Sequence, residues 1–139
     1  QRFPFWLIEG LPDYLAQLVA SRTRFPEGDV FAIGGLAKVD STCAARLAAS
    51  TRATEISERV GRSGRLEALL TTERATVAPV YYACSQSFTK YLVERTSLAT
   101  LVRLFPGIAG GSWQADLESA ASKPLAALRT EWLASLGRR

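Results

Sequence analysis

The sequence predicts an all-α domain, an irregular bundle of about six or seven helices with a loop or short strand near residues 29–36. Three observations lead there. Apolar side chains recur at spacings of three and four through most of the chain, the period of one helix face. Ser, Thr and Asp residues suited to helix starts, and Pro and Gly suited to helix ends, bracket these runs. Only Val30-Phe31-Ala32-Ile33-Gly34-Gly35 reads otherwise, and its two glycines favour an extended loop over a strand. With 139 residues and 15.1 kDa, one domain with its own core is expected. A content of 47% hydrophobic and 22% charged residues excludes a wholly disordered chain.

The elements follow in order. Leu11, Tyr14, Leu15, Leu18 and Val19 form one stripe, so a helix runs from Leu11 to Thr23, with Pro12 and Asp13 in its first turn. Asp40-Ser41-Thr42 offers N-caps for a helix over Cys43, Ala44, Leu47 and Ala48. Ser50 to Gly64 reads as a frayed helix or a mobile connection, and Arg65 to Thr71 as a short helix. The strongest signal runs from Val77–Pro79 to Arg95, with Tyr81, Cys84, Ser85, Phe88, Tyr91 and Leu92 on one side and Pro79 in the first turn. Ser97 caps a helix stopped by Pro106-Gly107, Ser112 caps one over Trp113 and Leu117, and Ser122 caps the last. The last carries Leu125, Leu128, Trp132, Leu133 and Leu136 and ends at Gly137.

Composition removes several functions. The sequence has no histidine, so His triads, His bases and His metal ligands are not available from these residues. Two cysteines alone do not build a thiolate zinc site. The net charge of +4 comes from scattered cations (Arg22, Arg24, Arg46, Arg52, Arg59, Arg62, Arg65, Arg74), so no nucleic-acid partner is expected. No apolar run approaches the ~18 residues of a membrane span. Cys43 and Cys84 either pair in an oxidising compartment or stay as buried thiols; pairing would favour an extracytoplasmic setting. Gln1-Arg2-Phe3-Pro4 lacks signal-peptide character and Met is absent throughout, so residue 1 is expected to be a cut or processed end.

Two segments carry a resemblance. Phe5-Trp6-Leu7-Ile8-Glu9-Gly10-Leu11-Pro12-Asp13-Tyr14-Leu15 resembles the Trp-Leu-x-Glu-Gly-x-x-x-Tyr-Leu stretch of gluzincin zinc metallopeptidases, the aminopeptidase-N-like and peptidase-MA-like proteins. Tyr82-Ala83-Cys84-Ser85-Gln86-Ser87-Phe88-Thr89-Lys90-Tyr91-Leu92 is similar to their Tyr-Ala-Gln-Ser-x-Ser-Phe-x-x-Tyr-Leu helix, with Cys84 in place of the usual Gln. The chain after Gly110 looks like the closing helices of that family. The resemblance covers residues 3–24 and 77–137.

The resemblance implies that Glu9 is the third ligand of a catalytic zinc and that Tyr82 hydrogen-bonds the oxyanion of the tetrahedral intermediate. The other two ligands and the general base belong to a His-Glu-x-x-His helix that the family places upstream of the Glu. The chain is thus expected to be the C-terminal helical part of a gluzincin-like domain, inactive alone, with zinc and a peptide substrate belonging to the parent. Its expected partner is the missing N-terminal segment or another chain, docking on an apolar surface around Trp6, Leu7 and the Tyr82 face. The alternative is a non-enzymatic helical interaction or scaffold module built on the same frame. Simpler roles stand beside these: Glu9 as a first-turn acid favoured by the helix dipole, and Tyr82 as a core tyrosine with a surface hydroxyl. If both catalytic roles hold, Glu9 and the Tyr82 hydroxyl must lie within roughly 10 Å. If Tyr81 points inward instead, the oxyanion role moves to Tyr81.

Overall fold

The computed structural model describes residues 4–22, 35–62 and 74–137. Among them are eight α-helices: α1 Phe5–Arg22, α2 Val39–Ala49, α3 Ala53–Arg59, α4 Arg74–Arg95, α5 Leu98–Arg103, α6 Phe105–Gly110, α7 Trp113–Ala121 and α8 Leu125–Leu136. A 3-10 turn, Leu36–Lys38, leads into α2, and no strand occurs among the described residues. The protein is an all-α irregular bundle. The expected loop at residues 29–34 and the helix at 65–71 lie outside the described residues.

Several boundaries differ from the sequence expectation, each for a local reason. α1 starts at Phe5 and not at Leu11, because the Pro4 carbonyl accepts from the Leu7 and Ile8 N–H groups at 2.8 and 3.1 Å. Pro12 therefore sits inside α1, exposed to solvent, where water can serve the carbonyl four residues back. Pro79 likewise lies within α4, which begins at Arg74. Pro106 does not stop the chain. It occupies the first turn of the separate helix α6, where its missing N–H costs nothing. Ser97 caps α5 as expected, accepting from the Thr100 N–H at 3.0 Å. Ser112 does not cap α7; its hydroxyl donates to Asp116. Ser122 takes the left-handed C-cap of α7, and the start of α8 is served by Glu118, whose carboxylate accepts from the Leu125 N–H at 2.8 Å.

α4 is the axis of the bundle. Val80, Tyr81, Ala83, Cys84, Ser85, Ser87, Phe88, Thr89, Tyr91 and Leu92 are all buried, so it is covered on most of its circumference. α1 is its most extensive partner, and Gly10 is the reason they come so close. A Cβ on Gly10 would lie 2.5 Å from both the Ser85 carbonyl oxygen and Thr89 Oγ1. That approach seats Trp6 on Phe88 (ring centroids 5.0 Å) and against Trp113 (6.0 Å), while Phe88 meets Trp132 at 5.1 Å. One aromatic cluster thus joins α1, α4, α7 and α8, with tilted and edge-on contacts of the kind aromatic rings favour. Arg129 of α8 closes the open end of α3 by donating to the carbonyls of Val60 (2.6 Å) and Ser57 (2.9 Å).

Gly10→Ala is expected to cost about 1–3 kcal/mol, because the Ser85 backbone cannot yield as a flexible side chain would. Gly110→Ala, where a Cβ meets nothing within 4 Å, should be neutral or stabilising. Thermal unfolding of the two variants side by side checks both.

Candidate functional site

Glu9 lies in the second turn of α1, one position before the Gly10 contact, and is partly buried. It neither precedes the helix nor sits in its first turn, so the helix-dipole role does not apply to it. Opposite, on α4, the adjacent residues Tyr81 and Tyr82 part company. Tyr81 is 3% exposed and Tyr82 is 40% exposed, their rings 6.2 Å apart and edge-on. Burial pushes the Tyr81 hydroxyl well above the usual phenol range of 10.0; Ser85, one turn on, acts against that, and the Glu9 carboxylate raises it further. Arg59 at the end of α3 acts on the same hydroxyl with opposite sign and is itself paired with Glu55. Glu9 therefore shares an electrostatic environment with Tyr81, the inward member of the tyrosine pair.

The apolar surface expected around Trp6 and Leu7 is not open. Both side chains are fully buried, Trp6 between Phe88 and Trp113. The reason is the early start of α1, which carries Trp6 into the core as part of the helix. Asp40 also departs from its expected role. It is buried in the first turn of α2, whose N-cap position is Lys38. Its two carboxylate oxygens accept from the Ser87 hydroxyl and the Lys90 ammonium, each at 2.8 Å. Ser87 in turn accepts from Trp132 Nε1 at 3.0 Å, and Lys90 reaches Glu94 at 2.7 Å. This network ties α2, α4 and α8 together. The sequence held only a weak trace of it: Ser87 and Lys90 three residues apart on one helix, with nothing to name their partner.

Cys43 of α2 and Cys84 of α4 are joined by a disulfide, S–S 2.09 Å, with both side chains fully buried. Cys84, which stands where the resembled motif has Gln, is thus one end of a cross-link to α2.

The described residues do not by themselves assemble a zinc site. A catalytic site needs three protein ligands. Glu9 offers one, histidine is absent from the sequence, and both cysteines are consumed by their mutual bond. Among the described residues no three Cys, His, Asp or Glu side chains gather as a metal site. No described helix is long and apolar enough to cross a membrane. No protein-family model, curated protein or solved structure matches the chain.

Two predictions follow from the buried polar groups. Asp40→Ala should lower the unfolding free energy in urea by roughly 3 kcal/mol, because it strands a largely buried ammonium and a buried hydroxyl. Burial pulls the Lys90 pKa down, but its bonds to Asp40 and Glu94 outweigh that and leave it above 10.5, so its contribution is complete below that pH and is lost as pH rises through the folded value. Tyr81 has the same sign. The unfolded chain releases its phenol proton from about pH 10 while the native state retains it, so stability falls as pH rises. Tyr81→Phe should therefore show a shallower alkaline loss of stability than the parent in urea unfolding followed across pH.

Proposed function

We propose that this chain is the C-terminal helical portion of a gluzincin-like zinc peptidase domain, which hydrolyses peptide bonds in the parent protein, and that the chain alone is inactive. The observation that most supports this reading is the packing of its two motif segments. Residues 5–15 and 82–92, far apart in sequence, lie on the two helices in closest approach, with Gly10 of one against Ser85 and Thr89 of the other. The Glu-Gly pair then has a physical sense: the glycine permits the contact, and the glutamate beside it is carried to the edge of the same junction, within the electrostatic reach of Tyr81.

In this reading Glu9 supplies one ligand, and the remaining ligands and the general base come from a His-Glu-x-x-His helix outside these residues. A zinc held by that full set would polarise the scissile carbonyl and activate water. One of the tyrosine pair serves as hydrogen-bond donor to the oxyanion. Tyr82 occupies the motif position and is open to solvent, and the Glu9 carboxylate acts on the buried Tyr81 hydroxyl. The non-enzymatic scaffold remains the alternative, and the same experiments separate the two.

Zinc chloride titrated calorimetrically into the chain should show no one-to-one site of sub-micromolar affinity. Such a site, abolished by Glu9→Ala, would overturn inactivity of the chain alone. The encoding gene, read upstream in the same frame, should carry His-Glu-x-x-His within a few tens of codons of Gln1; its absence would overturn the peptidase reading in favour of the scaffold. In the longer polypeptide, loss of the oxyanion donor should lower kcat by about 10²–10³. Comparing Tyr81→Phe with Tyr82→Phe identifies the donor.

A further inference from the structure

Helix α2 is fastened to α4 by specific bonds more than by apolar burial. Only Val39, Asp40 and Cys43 are buried along it, and one of these is a carboxylate. Against that stand the Cys43–Cys84 disulfide, the Asp40 contacts with Ser87 and Lys90, and a hydrogen bond from Arg46 Nη1 to the Pro79 carbonyl at 2.7 Å. The aromatic cluster of Trp6, Phe88, Trp113 and Trp132 lies on α1, α4, α7 and α8, and α2 adds no ring to it. Ala44 and Leu47 add partly buried contacts to the core, so the covalent bond is one of a few discrete ties of α2, while the aromatic core is held without it.

We infer that α2 is a redox-controlled latch on α4: the oxidised cysteine pair seats it, and reduction by a dithiol releases it while the aromatic core stays folded. In the reduction, one thiolate of the dithiol attacks a cysteine sulfur, the S–S bond breaks, and the departing cysteine thiolate takes up a proton. The second thiolate of the reagent attacks the resulting mixed disulfide and expels the other cysteine, which is protonated in turn. Two electrons pass to the protein, and the reagent leaves as its cyclic disulfide. Both cysteines are fully buried, so the attack waits on a local lifting of α2, and the Asp40 clamp guards the bond. The latch stands independently of the peptidase reading.

Hydrogen exchange read by mass spectrometry, on the chain before and after treatment with dithiothreitol, tests the latch. Amides of α2 should exchange on the order of a hundredfold faster once the bond is reduced, with those of Phe88–Leu92 and α8 unchanged. Unchanged protection of α2, or equal acceleration in α2 and α8, would overturn it. So would uptake of two thiol-alkylating groups by the native protein before any reductant is added. With Asp40→Asn, reduction of the oxidised protein should run about tenfold faster; an unaltered rate would overturn the guarding role of the clamp.

Discussion

The approach of α1 to α4 at Gly10 is the constraint on which the rest of the structure depends. With no Cβ at that position, the helix backbones come close enough for Trp6 to rest on Phe88 and Trp113. Protein interiors pack at crystal-like density, so a displacement at one such point propagates through the side chains interlocked around it. Phe88 also carries Trp132 of the last helix, and through that ring the N-terminal and C-terminal helices share one core. The same contact brings together the two segments whose sequences resemble the peptidase motifs.

The second organising feature is polar. Asp40, Ser87, Lys90 and Trp132 form a buried chain of hydrogen bonds beside the disulfide between α2 and α4. Such a network adds little over an apolar core of equal volume, but it is costly to break from one side, because the remaining partner is left charged and desolvated. It also selects one register for α2, since Asp40 and Cys43 stand one turn apart and must meet Ser87 and Cys84, also about a turn apart, at once.

At the candidate site the decisive detail is a rotation. Neighbouring residues on a helix point about 100° apart, and on α4 Tyr81 faces the core while Tyr82 falls on the uncovered part of the circumference. The motif pattern draws attention to Tyr82, and the burial falls on Tyr81. The rotation of α4 is set by what packs elsewhere along it, namely Ser85 and Thr89 against Gly10, Cys84 against Cys43 and Phe88 among the tryptophans.

The sequence by itself determined the all-α class, the stripes at Leu11–Leu18, Tyr81–Leu92 and Leu125–Leu136, the Ser97 cap and the end of α8, because these depend on spacings of three and four within one segment. It also showed that no histidine chemistry resides in this chain. Only the tertiary structure decided that Glu9 lies inside a helix, that Tyr81 turns inward, that Asp40 binds α4, and that Cys43 and Cys84 meet. The Asp40 and cysteine contacts span 41 to 50 residues and the inward turn of Tyr81 depends on how α4 packs against its neighbours, and local periodicity carries no information about either; Glu9 lies inside α1 because the Pro4 carbonyl starts that helix early.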